Sequence, residues 1–535
     1  MAEGSCDPTQ FPSTWRRSKF QYFKDMGVPG PRPSLIFGNL LEIKRRGGAA
    51  MFAEWIKTYG NVVGFYNGAI PFLLVNDLEL LKRVEIEDFH NFAERGNVIE
   101  VQSVPDIRQK LIVTAPVNRW REMRAVLSPA FTTKKLSQIF VIMDDCSDTM
   151  IELLHGKVET GEAVEVSKVF RRATMDTMFK VGYGVDLNVQ HSTPGGPLDQ
   201  MGDGAGALLR RVPLQGISFL SRFDGKTRLA ITREEVIANS AFYLIAGLEA
   251  TPNTMGLTLH LLALHPEIQD RLQAEISEVL HRDGKFTYKN VMEMPYMDMV
   301  LNESMRFYTG VVGFVTRRAA RDFEYKDVKI PRGLSVMVPV TYLHHDPEVW
   351  HEPEKFDPER FSPGNKPFIH PVSFQPFGKG PRECLGKNFA LLEMKLMLSK
   401  FLANFRVTVD ERHHKQCGTT LAKMSLAKVT RDSCRCATRH SSSFASAWLA
   451  ALVALSTLMP LSRGQCLSYV CYKQCRNSGR GPGTCVTLFY HGLRYMACAC
   501  ADTIDYHLAD QKHYFVYGDI EAQPMQHQQQ LLLWR

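Results

Sequence analysis

The sequence predicts a mainly α-helical domain with a small β region, followed by a small disulfide-rich αβ module at the C-terminus. Three observations lead there. Long segments such as "KKLSQIFVIMDDCSDTMIELLHG" and "HPEIQDRLQAEISEVL" repeat apolar residues at helical spacing. "NVVGFYNGAIPFLLV" is two β-prone runs joined by Asn67-Gly68, a hairpin signal because both residues tolerate positive φ. Of 12 cysteines, Cys6, Cys146, Cys384 and Cys417 are scattered, and the rest crowd between Cys434 and Cys500.

The chain has 535 residues, a hydrophobic fraction of 44% and a net charge of +8. This is ordinary globular composition, with length for one large domain or several smaller ones. No long Lys/Arg block argues for nucleic acid. The opening "RRSKFQYFKDMGVPGPRP" is basic and aromatic, then stiffened by Pro29, Pro31 and Pro33. Helical patterns dominate beyond the hairpin, one of them beginning at Pro266, a first-turn position. From Asn188 to Lys226, "NVQHSTPGGPLDQMGDGAG" reads as a loop. The large domain is expected to span 1–433.

"FQPFGKGPRECLG", residues 374–386, fixes Cys384 in a rigid loop just before a helix that starts near Lys387. A thiolate is a soft ligand suited to iron. Loop N–H groups and the positive helix end would stabilise that anion. Gly380 and Gly386 would let the backbone pass close to a flat cofactor. A lone cysteine in a turn is more often structural, but four further stretches change the weighting. "WREMR" carries Trp120 and Arg124. "LIAGLEATPNT" carries Glu249 and Thr251. "ESMR" puts Glu303 and Arg306 three apart on one helix face, and "PERF" supplies Arg360.

At all five places, in this order, the chain resembles the cytochrome P-450 haem-thiolate monooxygenases, over roughly Arg17 to Ser433. The loop fits the family signature at Phe377, Gly380, Arg382, Cys384 and Gly386. "HHDPEVWHEPEKFDPERF" is most similar to the animal clan holding drug-oxidising forms and thromboxane synthase. The resemblance implies haem b bound through Cys384, with Trp120 and Arg124 at its propionates. It implies a buried network of Glu303, Arg306 and Arg360, and a distal helix bearing Glu249 and Thr251. The implied reaction inserts one oxygen atom of O2 into an apolar small molecule (xenobiotic, steroid or lipid). Electrons would come from NADPH through a flavoprotein reductase, at the cytosolic face of the endoplasmic reticulum membrane.

Three departures from the family pattern stand out. Only "MAEGSCDPTQFPSTW" precedes the basic, proline-rich hinge, where the clan carries an apolar membrane anchor; a truncated gene model is the expected cause. The span Val185 to Ile231 is too short for the two helices that usually roof the pocket. Ala250 stands where the family carries a threonine, and Thr251 is turned by about 100° around the helix. Thromboxane synthase also lacks that threonine, so a haem-thiolate isomerase of a lipid peroxide is the second reading. An inactive, mis-assembled chain is the third.

After Ser433 the composition changes. "RCATRHSSSFASAWLAALVALSTLMPLSRG" has basic residues, an apolar run and then small residues, the layout of a secretory signal peptide over 434–464. Cys466, Cys471, Cys475, Cys485, Cys498 and Cys500 follow in a module expected at 465–503, with a tail at 504–535. Cys-x3-Cys places two thiols on one helix face, and Cys-x-Cys places two on one side of a strand. A zinc site is less favoured, because paired Cys-x2-Cys knuckles are missing. Between Gln465 and Cys500 lie Lys473, Arg476, Arg480 and Arg494, with no Asp or Glu, a charge pattern that favours anionic membranes. The spacing resembles invertebrate defensins with the cysteine-stabilised αβ fold, although channel-blocking toxins share the framework. That resemblance implies pairings Cys466–Cys485, Cys471–Cys498 and Cys475–Cys500; spacing alone leaves 15 connectivities open. Two merged genes are the leading explanation, with the module secreted or lumenal if processed. A real fusion whose apolar run crosses the membrane, with Arg431, Arg435 and Arg439 on the cytosolic side, is the alternative.

Overall fold

The hairpin expected at Asn67-Gly68 forms, displaced by one residue. In the computed structural model, β1 (Val62–Asn67) and β2 (Ile70–Val75) pair antiparallel with Asn67 opposite Ile70. The turn residues are therefore Gly68 and Ala69. Gly68 alone takes positive φ, 64°, as the first central position of a type II′ turn requires. Asn67 ends the strand instead of making the turn.

The structure describes residues 18–96, 109–159, 164–192, 231–309 and 313–408, plus strand backbone at 428–429, 483–490, 493–500 and 515–517. The chain divides into two compact units, Met1–Leu455 and Ser456–Arg535. In the first, β3 (Val315–Arg318) and β4 (Ser335–Val338) complete a four-stranded sheet in the order β1-β2-β4-β3. The β2-β4 pair is parallel and the other pairs are antiparallel. One sheet face buries Phe65, Phe72 and Leu74 against Phe52 and Trp55 of α1 (Gly48–Tyr59).

The larger part is helical. It contains α2 (Val117–Leu127), α3 (Thr133–Glu159), α4 (Val166–Tyr183), α5 (Arg233–Leu264), α6 (Pro266–Asp283), α7 (Pro295–Phe307) and α8 (Lys387–Asn404). Pro266 opens α6, where its missing N–H costs no bond. The start of α5 is fixed by a reciprocal cap. The Thr232 hydroxyl accepts from the Glu235 N–H at 3.3 Å, and the Glu235 carboxylate accepts from the Thr232 N–H at 2.7 Å. Helix α8 is apolar nearly all round, as a helix at the centre of a core must be. Its Leu392, Leu396, Met397 and Phe401 are buried with Met150, Phe170, Leu259 and Ile276 from the helices around it.

Two charged groups stand inside this core. Glu303 and Arg306 of α7 have no exposed side-chain surface and are joined by two hydrogen bonds, 2.7 and 2.8 Å. Glu303 also accepts from the Asp357 N–H at 2.9 Å and from Arg360 Nε at 3.3 Å. Arg306 donates to the carbonyls of His344 at 2.7 Å and Pro353 at 2.8 Å. Arg360 donates to those of His351 at 2.5 Å and Glu352 at 2.8 Å. The network thereby ties α7 to the chain at 344–360. The second group is Glu393 of α8, buried with neither carboxylate oxygen hydrogen-bonded. Burial raises its pKa from 4.5 to about 8, against a smaller opposing pull from the Thr174 hydroxyl.

In the second unit only strand backbone is described: β5 (Gly483–Tyr490), β6 (Leu493–Cys500) and β7 (Phe515–Tyr517), in the order β7-β6-β5. Cys498 lies opposite Cys485 in the register, and Cys500 opposite Gly483. Strand β7 falls in the stretch that the sequence reads as tail. The expected pairings of the six cysteines, the signal-like junction at 434–464 and the loop at 193–230 lie outside the described residues.

Two outcomes are expected. Glu303→Ala strands two buried or nearly buried arginines and should cost about 3–5 kcal/mol in urea unfolding. Glu393 is the pH-sensitive case. The folded state keeps its proton between pH 4.5 and about 8, where the unfolded chain releases it. Its contribution is thus fully present below the lower value and lost as pH rises through the upper one. Glu393→Gln should gain stability over wild type across that window, by several kcal/mol on the order-of-magnitude scale of the shift. A gap between the two proteins that does not change with pH would show that Glu393 does not titrate this way.

Candidate active site

The loop before α8 is held by its own backbone. The Cys384 N–H donates to the Phe377 carbonyl at 2.9 Å, and the Glu383 N–H to the Gly380 carbonyl at 2.9 Å. Phe377 packs against the helical core. Gly380 has a φ of 70°, and a Cβ there would lie 1.9 Å from the carbonyl oxygen of Glu85. The glycine is thus needed for contact with another backbone segment, where the sequence reading placed a cofactor. Gly386 shows no such need from the polypeptide. A Cβ on it would make an ordinary 3.8 Å contact with Phe131.

Cys384 is a free thiol with accessible surface, yet protein surrounds it closely enough for burial to raise its pKa. These two facts describe a group on the wall of a concavity. The Gly386 N–H, Arg124 and Lys387 pull the pKa down, and Glu383 pushes it up. Burial wins, so the loop and the start of α8 do not by themselves hold a thiolate, contrary to the sequence expectation. A bound metal cation supplies the missing charge. Two surface grooves of about 470 and 430 Å³ lie elsewhere: one is lined by Trp350, Arg360 and Phe368, the other by Arg119, Thr232 and Glu235.

Beside the thiol the structure gathers guanidinium groups. Trp120 of α2 is buried, with the Arg382 guanidinium 4.0 Å from its ring centroid and that of Arg124 at 6.0 Å. Arg124 Nη1 donates to the Glu383 carbonyl, one residue before the cysteine, at 2.8 Å. Arg382 donates to the carbonyls of Ala93 at 2.9 Å and Ile112 at 3.2 Å. Burial, then Arg317 and Arg124, depress its pKa to about 9. Arg95 is driven well below its ordinary value by burial and by Arg317 and Arg382, with a partial offset from Glu85. Burial also lowers the pKa of Arg124 and of Arg317, a fully buried residue of β3.

Sequence reasoning found Trp120, Arg124 and Arg382 but missed Arg95, Arg317 and Glu85. The available signal was "VTRR", a charged pair inside a β-prone run, since one of two successive strand residues must face inward.

The cluster lacks anions. Arg95 Nε, Arg317 Nε and Arg382 Nη2 are buried without hydrogen-bond partners. Buried guanidinium groups with open donors, crowded until they depress one another's pKa, match a ligand carrying carboxylates. With a soft ligand beside them, these residues fit a flat, dianionic, iron-bearing group.

The distal helix is less complete. Thr251 is buried, one turn from Gly247, where a Cβ would lie 2.5 Å from Met178 of α4. The two share the face that packs on α4. Ala246, Glu249, Ala250 and Asn253 are half-buried at helical spacing and form a separate, more accessible stripe. Pro252 lies inside α5 and has no N–H to offer the Leu248 carbonyl.

The buried network reaches the same loop. Arg306 bonds the His344 carbonyl, and the Gln375 N–H donates to His344 Nε2 at 2.9 Å. That bond places the imidazole proton on Nδ1, and burial holds His344 neutral with a pKa of about 3.

A cation cluster over a cysteine loop, backed by a core helix, is the site of a haem-thiolate protein. This chain belongs to the cytochrome P450 family, whose family model matches residues 28–210 and 208–430. It is 33% identical over 466 residues to "Cytochrome P450 3A31" of Mesocricetus auratus, covering 77% of this chain and 90% of that one. It is 34% identical over 447 residues to "Cytochrome P450 3A11" of Mus musculus, covering 72% and 86%. With "Cytochrome P450 3A1" of Rattus norvegicus it shares 33% over 443 residues, covering 72% and 86%. Membership makes the chain a monooxygenase-type oxidoreductase. The family uses haem b and electrons from NADPH delivered by a partner reductase, takes apolar substrates and associates with membranes.

Gly380→Ala places a Cβ against backbone at a positive φ. Haem content per folded chain should fall well below wild type, and unfolding should occur at lower urea. Wild-type haem content and midpoint would show that the loop can move away from Glu85.

Proposed function

We propose that this chain is a haem monooxygenase that inserts one oxygen atom of O2 into an apolar xenobiotic, steroid or lipid. The observation that carries the reading is the unneutralised cation cluster beside Cys384. In this reading Cys384 is the axial ligand. Trp120, Arg124 and Arg382, joined by Arg95 and Arg317, hold the haem carboxylates. Phe377, Gly380 and Gly386 shape the loop. Glu303, Arg306 and Arg360 keep it attached to the core. Haem with a thiolate ligand supplies the oxygen-activating chemistry, since thiolate electron donation favours O–O cleavage. On the distal side Glu249 lies on the accessible stripe and is placed to carry protons inward, with Thr251 one face away.

The half-buried Ala250 on that stripe favours a second reading, an isomerase of a lipid peroxide, which needs no proton delivery to bound oxygen. Purified protein given reductase and NADPH, beside protein given a hydroperoxide alone, separates the two. NADPH-dependent product supports the monooxygenase; peroxide conversion alone supports the isomerase. Ala250→Thr should raise product formed per NADPH consumed in the first case.

We place the chain at the cytosolic face of the endoplasmic reticulum membrane. Among the described residues no helix is long and apolar enough to cross a membrane. Leu35, Ile36, Phe37, Leu40 and Leu41 are exposed together, beside Lys44 and Arg45, and suit a lipid surface. Residues 465–503 we read as a separate cysteine-stapled module. Disulfide mapping that returns Cys466–Cys485, Cys471–Cys498 and Cys475–Cys500 would support this, and free thiols would oppose it.

The ligand assignment has a direct check. Reduced protein with haem and carbon monoxide should give the thiolate-type absorption band, and Cys384→Ala should abolish it. An imidazole-type spectrum from wild type would rule out Cys384 as the ligand.

A further inference from the structure

Glu85 is fully buried in a π-helical turn, Arg83–Glu87, that follows the helix Leu78–Lys82. Such turns are rare and tend to occur at functional sites. Its backbone oxygen occupies the place a Cβ on residue 380 would take. Its Oε2 accepts from Gln375 Nε2 at 2.6 Å, and its Oε1 from Arg317 Nη2 at 3.2 Å. The same Arg317 nitrogen donates to the Lys379 carbonyl at 3.1 Å. Glu85 thus grips the upstream arm of the cysteine loop at residues 375 and 380, and at 379 through Arg317.

It also has a charge role open to it. Other carboxylates near the guanidinium cluster are partly exposed and engaged elsewhere: Glu94 pairs with Arg318, and Glu383 with Lys387. Glu85 is the fully buried one, and its charge acts on both Arg95 and Arg317. Burial raises its own pKa, while Arg317, Gln375, Arg95 and Lys379 pull it down.

We propose that Glu85 is a positioning residue of the haem site with two separable roles. It clamps Arg317 and the upstream arm of the cysteine loop, and it is a fixed negative charge that offsets part of the cation cluster and so makes the bound iron harder to reduce. The proposal rests on the reading of Cys384 as the iron ligand.

The test uses holoprotein and two variants. Glu85→Gln keeps the shape and removes the charge. It should keep the thiolate-type carbon monoxide band and shift the haem reduction potential positive relative to wild type. A potential that is unchanged or shifted negative overturns the charge role. Glu85→Asp keeps the charge and shortens the clamp. It should keep the wild-type potential and release haem to apomyoglobin several-fold faster. Release at the wild-type rate overturns the clamp, and a potential that follows the Gln variant overturns the charge role. If wild type itself lacks the thiolate band, the ligand reading fails; a band with no shift sinks the charge role of Glu85 alone.

Discussion

Arg95, Arg124, Arg317 and Arg382 gather beside one cysteine loop, and taking several like charges out of water is unfavourable unless anions meet them. The polypeptide meets that cost only in part. It offers the carbonyls of Ala93, Ile112, Lys379 and Glu383, the face of Trp120 and the Glu85 carboxylate. Donors on three of the four side chains stay open. The same surroundings raise the pKa of the Cys384 thiol. Cations short of an anion, beside a thiol short of a cation, are two deficits that one iron-porphyrin dicarboxylate meets together. That complementarity is why the chemistry belongs here and not in either surface groove.

The rest of the large unit serves to hold this arrangement still. A buried ion pair adds little net stability, but here it is fully hydrogen-bonded and joins separate segments. From Glu303 the contacts run through Arg306 to His344, through His344 Nε2 to Gln375, and through Gln375 to Glu85 and Arg317. His344 can serve as an acceptor there because burial keeps it neutral. Helix α8 anchors the other end of the loop deep in the apolar core. The cysteine is therefore positioned from both sides.

What was legible in the sequence was what depends on local chemistry. The hairpin, the helices over 133–159 and 266–283, and the helix starting at Lys387 follow from periodicity and from Pro and Gly placement. The hairpin turn was read one residue early, because Asn67 and Gly68 look equivalent until the register is known. The cysteine loop, Trp120, Arg124 and the Glu303–Arg306 pair could be named because short spacings encode them. Arg317 and Glu85 could not, being 232 residues apart in the chain and joined only by tertiary packing. Gly380 was singled out for the wrong neighbour for the same reason: its constraint is the backbone of Glu85. The weak start of the distal argument, Ala250 before Thr251, was visible at once, since a helix fixes which way neighbouring residues point.

The most direct measurement of the central claim compares apoprotein binding of haem b with binding of its dimethyl ester, which lacks both carboxylates. If the cations exist to meet those carboxylates, the ester should bind at least tenfold more weakly, and Arg382→Gln should weaken haem b while leaving the ester nearly unaffected. Equal affinity for the two porphyrins would contradict the account and would leave the buried arginines without the role given to them here.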